Sequence, residues 1–290
     1  MLPVLKAYPI ESRSGPLIVG YLLNWGLFGT LTVQLYLYYL AFPKDRRFVK
    51  ILVYGIYILE LIQAILVAYD AFAVFGYGFG DLDALTDRHF NWLVVPTMGG
   101  IAASVGQVFY AYRIFILSRS RIVVAFIVFV SLTSFVAAII AGICSFPEGY
   151  LNPNNRIMSI SIGISGAGYV LCDIVIAICM TYYLMRSKPS FHHTQILVTK
   201  LIRLIIETGS LTAATALMVP VLYFMPFPQQ TFFITPALIV SKLYANTIYM
   251  VLNSRIRFMG GRDTYTSSTD MEITSTMMRD ITSRSTQGAQ

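Results

Sequence analysis

Five ionisable side chains interrupt the long apolar runs of this 290-residue chain: Glu60, Arg113, Asp173, Glu207 and Lys242. A charge at the centre of a bilayer costs about 2.5–3.5 kcal/mol on insertion scales, so each one needs a partner or a purpose. Glu60, Asp173 and Lys242 fall near the middle of their runs, whereas Arg113 and Glu207 fall toward one end. Lys242, Asn246, Tyr249 and Asn253 recur at i, i+4, i+7 and i+11, with Thr235 one heptad earlier, which places them on one helical face. Tyr57, Glu60 and Gln63 share a second face, and Gly166, Tyr169 and Asp173 a third.

A buried lysine beside one or two carboxylates is tolerable at low dielectric when the charges pair. Such a cluster can serve as an ion-pair lock between helices or as a ligand pocket facing an acidic or polar group. It can also be a proton or solute path with carboxylate relays, or the seat of a retinal Schiff base on Lys242. The last use finds no acid in the third apolar run as counter-ion and no recognisable aromatic box. The candidate ligand-binding residues are therefore Lys242, Asn246, Tyr249, Glu60, Gln63, Asp173 and Tyr169, and the carboxylate that pairs with Lys242 is left open. Arg113 and Glu207 form a candidate switch pair between helices. The local alternative joins Glu207 to Arg203 four residues earlier, while Arg113 snorkels to the interface.

The remaining chemistry is sparse. His89, His192 and His193 are too few and too dispersed for a zinc hydrolase. No phosphate-binding glycine loop and no well-placed serine–lysine or serine–histidine pair occurs, so no enzyme, metal or cofactor is expected. Asp81, Asp83 and Asp87 read as solvated loop acids rather than a cation site.

The elements that must position these residues follow from composition. Hydrophobic residues make up 56% and charged residues 12% of the chain, with a mean hydropathy of +0.67; soluble domains carry about twice that charge. Runs long enough to cross a bilayer are predicted at 16–42, 50–69, 91–117, 122–144, 158–185, 203–225 and 232–253. The predicted fold is all-α: a polytopic membrane protein, a seven-transmembrane helix bundle. Loops 43–50, 118–121 and 186–203 and the C-terminal tail hold fifteen Lys and Arg, against four on the other side. That asymmetry predicts the N-terminus outside and the C-terminus in the cytoplasm. The net charge of +7 is then a topology signal and an attraction to anionic membrane lipids, not a nucleic-acid footprint.

Residues 1–15 read as a short outer tail without a cleavable leader, and 16–257 as the membrane domain. Residues 258–290 read as a disordered cytoplasmic tail, in which Ser267 and Thr269 precede acids by three residues and are candidate phosphorylation sites. A small-molecule ligand and a cytoplasmic signalling partner are the other expected contacts. Asp70 to Phe90 reads as a long outer loop, and Pro220 predicts a kink in the sixth span. Gly99, Gly100, Ala103 and Gly106, then Gly163, Gly166 and Ala167, are placed for close helix contact. Cys144, Cys172 and Cys179 read as small apolar side chains rather than a disulfide framework.

The segments Gly20-Tyr-Leu-Leu-Asn24-Trp-Gly-Leu-Phe-Gly29, Gln34-Leu-Tyr36 and Phe42-Pro-Lys-Asp45 resemble the opening of a family of fungal, mainly basidiomycete, membrane proteins with a domain of unknown function. The resemblance continues at Gln107-Val-Phe-Tyr-Ala-Tyr-Arg113-Ile and Leu117-Ser118, and closes at Lys242-Leu-Tyr-Ala-Asn246 and Leu252-Asn-Ser-Arg255. It implies a seven-helix architecture and supplies no activity or ligand. Similarity to G-protein-coupled receptors is confined to topology. Asn246-x-x-Tyr249 lacks their proline, Ala111-Tyr112-Arg113 lacks their acid, and the top of span three lacks their cysteine. The sequence therefore reads as receptor-like, with a solute or proton transporter and a structural scaffold as alternatives, in a plasma or internal membrane.

Overall fold

A computed structural model describes residues 11–78, 94–148, 155–186, 192–226 and 232–255. The expectations for Asp81, Asp83, Asp87, Ser267, Thr269 and the tail from 258 onward lie outside the described residues. The described residues form seven α-helices: α1 (Glu11–Ala41), α2 (Arg47–Phe72), α3 (Gly99–Ser118), α4 (Arg121–Glu148), α5 (Arg156–Arg186), α6 (His192–Tyr223) and α7 (Ile234–Asn253). No strand occurs among the described residues. The chain forms one compact unit over residues 1–251 and a second over 252–290; every contact discussed here belongs to the first.

The second helix corrects the sequence reading. Asp70 is not in a loop: α2 runs to Phe72 and a π-helical turn, Ala73–Tyr77, carries the chain further. A second π-helical turn, Val94–Met98, leads into α3 and contains Pro96. Proline lacks the N–H that a tighter turn would use, and widened turns recur beside functional sites.

The helices are amphipathic in the sense opposite to a soluble protein. Along α2, Ile51, Tyr54, Ile58, Ile62, Ile65 and Tyr69 form an exposed stripe, with Ile51 71% accessible, while Glu60 on the other face is fully buried. The same exposed face of α4 carries Ile122, Phe126, Phe129, Leu132, Val136 and Ile140 at three- and four-residue spacing. In water such stripes would drive aggregation; against lipid they are the favourable outside. Six helical spans, Ser14–Ala41, Arg47–Tyr77, Val94–Ser118, Arg121–Ser145, Arg156–Arg186 and Ile202–Tyr223, are long and apolar enough to cross a membrane. The polar stripe keeps α7 out of that set. Yet α7 is the helix most enclosed by the others: from Pro236 to Tyr249 none of its residues is exposed.

Lipid tails are as apolar as leucine, so packing and hydrogen bonds hold the bundle together. Gly166 illustrates the packing, since a Cβ there would lie 2.8 Å from Pro220 Cγ. A Cβ at Gly168 would collide with Ser134 Oγ. These glycines let α5 approach α6 and α4, and α6 stays helical through Pro220 to Tyr223. Gly163 lies near the Phe224 ring, but Ala167, expected in the same contact, is exposed. The connection from α3 to α4 is short and turns at Arg119, whose φ of 53° is left-handed.

Candidate functional site

The polar residues of α7 reach two clusters on different sides of the helix. On the first side, Lys242 Nζ donates to Glu60 Oε2 at 2.7 Å, to the Glu60 carbonyl at 2.7 Å and to Gln63 Oε1 at 3.1 Å. An ammonium has three donors, and all three are used. The Phe28 ring centroid lies 5.3 Å from Nζ, a cation–π contact in a site without water access. Ser241 Oγ also donates to Gln63 Oε1 at 2.7 Å.

This seam continues along the helix. Thr235 Oγ1 donates to the Pro16 carbonyl, Asn24 Nδ2 to the Leu238 carbonyl, and Tyr249 Oη to the Val53 carbonyl, at 2.7, 2.7 and 2.6 Å. Asn246 donates to the Leu27 carbonyl at 3.1 Å and accepts from Thr30 at 2.9 Å. The stripe of α7 is thereby stitched to α1 and α2.

The second cluster centres on Asp173 of α5. Tyr244 Oη donates to Asp173 Oδ2 at 2.7 Å, and Gln107 Nε2 donates to Oδ1 at 3.3 Å. Tyr244 follows Lys242 by two residues, roughly 200° around a helix, and so faces away from it. Two cavities flank this cluster. The larger, about 80 Å³, lies among α3 to α7 and is walled by small residues such as Gly99, Gly100, Ala103, Ala138 and Ala237, with Tyr169 and Tyr244 as its phenols. The smaller, about 20 Å³, has Gln107, Asp173, Thr208, Thr212 and Thr247 on a wall completed by apolar residues such as Ile176 and Ile205. Tyr244 lines both. The Tyr169 hydroxyl is shielded from solvent, with the buried Ser104 hydroxyl as its polar neighbour.

The candidate ligand set therefore divides. Lys242, Asn246, Tyr249, Glu60 and Gln63 gather in a closed seam that lines neither cavity, whereas Asp173 and Tyr169 belong to the cavity side. The partner of Lys242 is Glu60, not Asp173. A lysine so fully engaged has no N–H left for a ligand. Of the candidate switch pair, Glu207 Oε1 accepts from Arg203 Nε at 2.6 Å on the same helix, the local alternative. The Arg113 guanidinium lies 5.1 Å from the Phe109 ring centroid. Gly99, Gly100 and Ala103, expected to bring helices together, border the larger cavity, and Gly100 also meets Ala138 and Phe135 of α4 closely.

Sequence reasoning passed over Tyr244 and Gln107 as site residues. Neither is ionised, and Tyr244 sits between two members of the conspicuous stripe while pointing away from it. The usable signal was the two-residue offset from Lys242.

With buried carboxylates inside and isoleucine stripes outside, these helices define a multi-pass helical membrane protein. Residues 169–257 match the model of a family of unknown function (DUF6534), a segment that begins at the cavity phenol Tyr169 and includes Asp173, Lys242 and Tyr244. No curated protein and no solved structure matches the chain.

Proposed function

We propose that this protein is a seven-span receptor-like membrane protein, N-terminus outside and C-terminus cytoplasmic, which senses a small molecule inside the bundle and relays its presence through α7. One observation carries the reading: Tyr244 of α7 lines both cavities and holds Asp173 between them. A ligand in the larger cavity touches the ring of a residue whose hydroxyl anchors the polar cluster on the cytoplasmic side of it. The Lys242–Glu60 seam fixes the opposite side of α7, so displacement of Tyr244 is borne by α5 and α3. The lysine and arginine asymmetry supports the orientation.

The test places an environment-sensitive fluorophore at Arg186→Cys, in a background with Cys144, Cys172 and Cys179 replaced by alanine. Purified protein in nanodiscs is titrated with a panel of small uncharged molecules. The expected result is a saturable emission change that Tyr244→Phe reduces. A molecule that occupies the bundle without changing emission, or one that crosses into proteoliposomes in a protein-dependent way, would overturn the receptor reading; the second result would establish transport.

A further inference from the structure

We infer that the larger cavity binds a small uncharged molecule of roughly three to five heavy atoms, bearing one hydroxyl or carbonyl oxygen on an apolar stem. This deepens the receptor reading and rests on it for its purpose, although occupancy itself can be measured separately. Size follows from volume: the cavity holds about 80 Å³, against the 150 Å³ of an engineered cavity that accepts benzene. Charge is excluded by the lining, which contains no ionisable group other than the two tyrosine phenols. An ion placed there would meet alanine, glycine and valine and lose its hydration without replacement.

The polar groups at the wall are the Tyr169, Tyr244 and Ser165 hydroxyls, and Ser165 already donates to the Ile162 carbonyl. The Tyr244 hydroxyl is already committed to Asp173, whereas that of Tyr169 is buried beside the cavity with the Ser104 hydroxyl as its neighbour. A shielded phenol with incomplete hydrogen bonding costs free energy that a ligand oxygen recovers. It lies close to Gly100, where an added Cβ would stand 3.1 Å from Tyr169 Oη. The glycine thus leaves the hydroxyl accessible from the cavity. Gly99, by contrast, has open space: an added Cβ meets nothing nearer than Val240 Cγ1 at 4.0 Å. A larger side chain there fills the cavity without first colliding with its walls.

The experiment is saturation-transfer NMR on full-length protein in nanodiscs, with n-butanol as the probe and n-pentane as its oxygen-free counterpart of equal size. Wild type is expected to bind both saturably, and Gly99→Leu to lose both. Tyr169→Phe is expected to weaken butanol about two- to tenfold, the range for one lost hydrogen bond, and to leave pentane unchanged. Equal signals from wild type and Gly99→Leu would mean partition into lipid alone and would overturn the proposal. Loss of both probes in Gly99→Leu with no effect of Tyr169→Phe would also overturn it, marking the cavity as a slot for a lipid chain. If Gly99→Leu does not fold, Ala237→Val fills the same space from α7. Occupancy without a fluorescence change at Arg186→Cys sinks the receptor reading and leaves this one standing; absence of occupancy by either probe, with an emission change still produced by another molecule, sinks this one alone.

Discussion

Replacing Lys242 with methionine leaves Glu60 as a buried carboxylate without its counter-charge, and breaking a buried pair in this way costs about 3–5 kcal/mol. Removing both charges, as in Glu60→Leu with Lys242→Met, is expected to recover most of that loss, because the desolvation penalty disappears with the pair. Thermal unfolding in mild detergent measures both; a double variant no more stable than Lys242→Met would show that the pair is not a lock. Tyr249→Phe makes a useful contrast. It removes one neutral hydrogen bond to the Val53 carbonyl, worth about 0.5–1.5 kcal/mol, so the charged pair should dominate the seam.

The interhelical contacts separate glycines that are required from glycines that are tolerated. Gly166→Ala drives a methyl group into the Pro220 ring, and overpacking of that kind costs about 1–3 kcal/mol. Gly26→Ala on α1 meets nothing within 4 Å. It is expected to be neutral or to stabilise by up to about 1 kcal/mol through helix propensity. Melting temperatures of the two variants, compared in one detergent, test the contrast; equal losses would refute the packing of α5 on α6. Arg119 belongs at this scale too. A left-handed residue other than glycine is strained by about 1–2 kcal/mol, so Arg119→Gly should raise the melting temperature.

Across the whole molecule, what was legible in the sequence was whatever depends on composition along the chain. Long apolar runs mark the spans, and Lys242 with Asn246 and Tyr249 marks an inward face, because both follow from helical period alone. The choice of Glu60 over Asp173 for Lys242 was not legible, since it depends on which helices stand beside α7. The cavities were invisible for a related reason: Gly99 and Ala103 have the same composition whether they close a contact or border a void. The proposed orientation makes its own prediction. Cysteines introduced at Arg121 and at Asn155, in the same cysteine-free background, should react with an impermeant maleimide from the cytoplasmic and outer sides respectively. The reverse pattern would invert the topology.

The enclosure of α7 has a consequence for how the protein is made. The ribosome delivers this helix after α1 to α6, and its lysine and asparagines make it the helix least able to enter lipid on its own merits. Its partners Glu60 and Asp173 stand 182 and 71 residues upstream of Lys242 and Tyr244, so they must wait, already synthesised, for it to arrive. The earlier helices therefore have to be held near the translocon with a gap between them, and the arrival of α7 fills the bundle at its centre rather than adding to its edge.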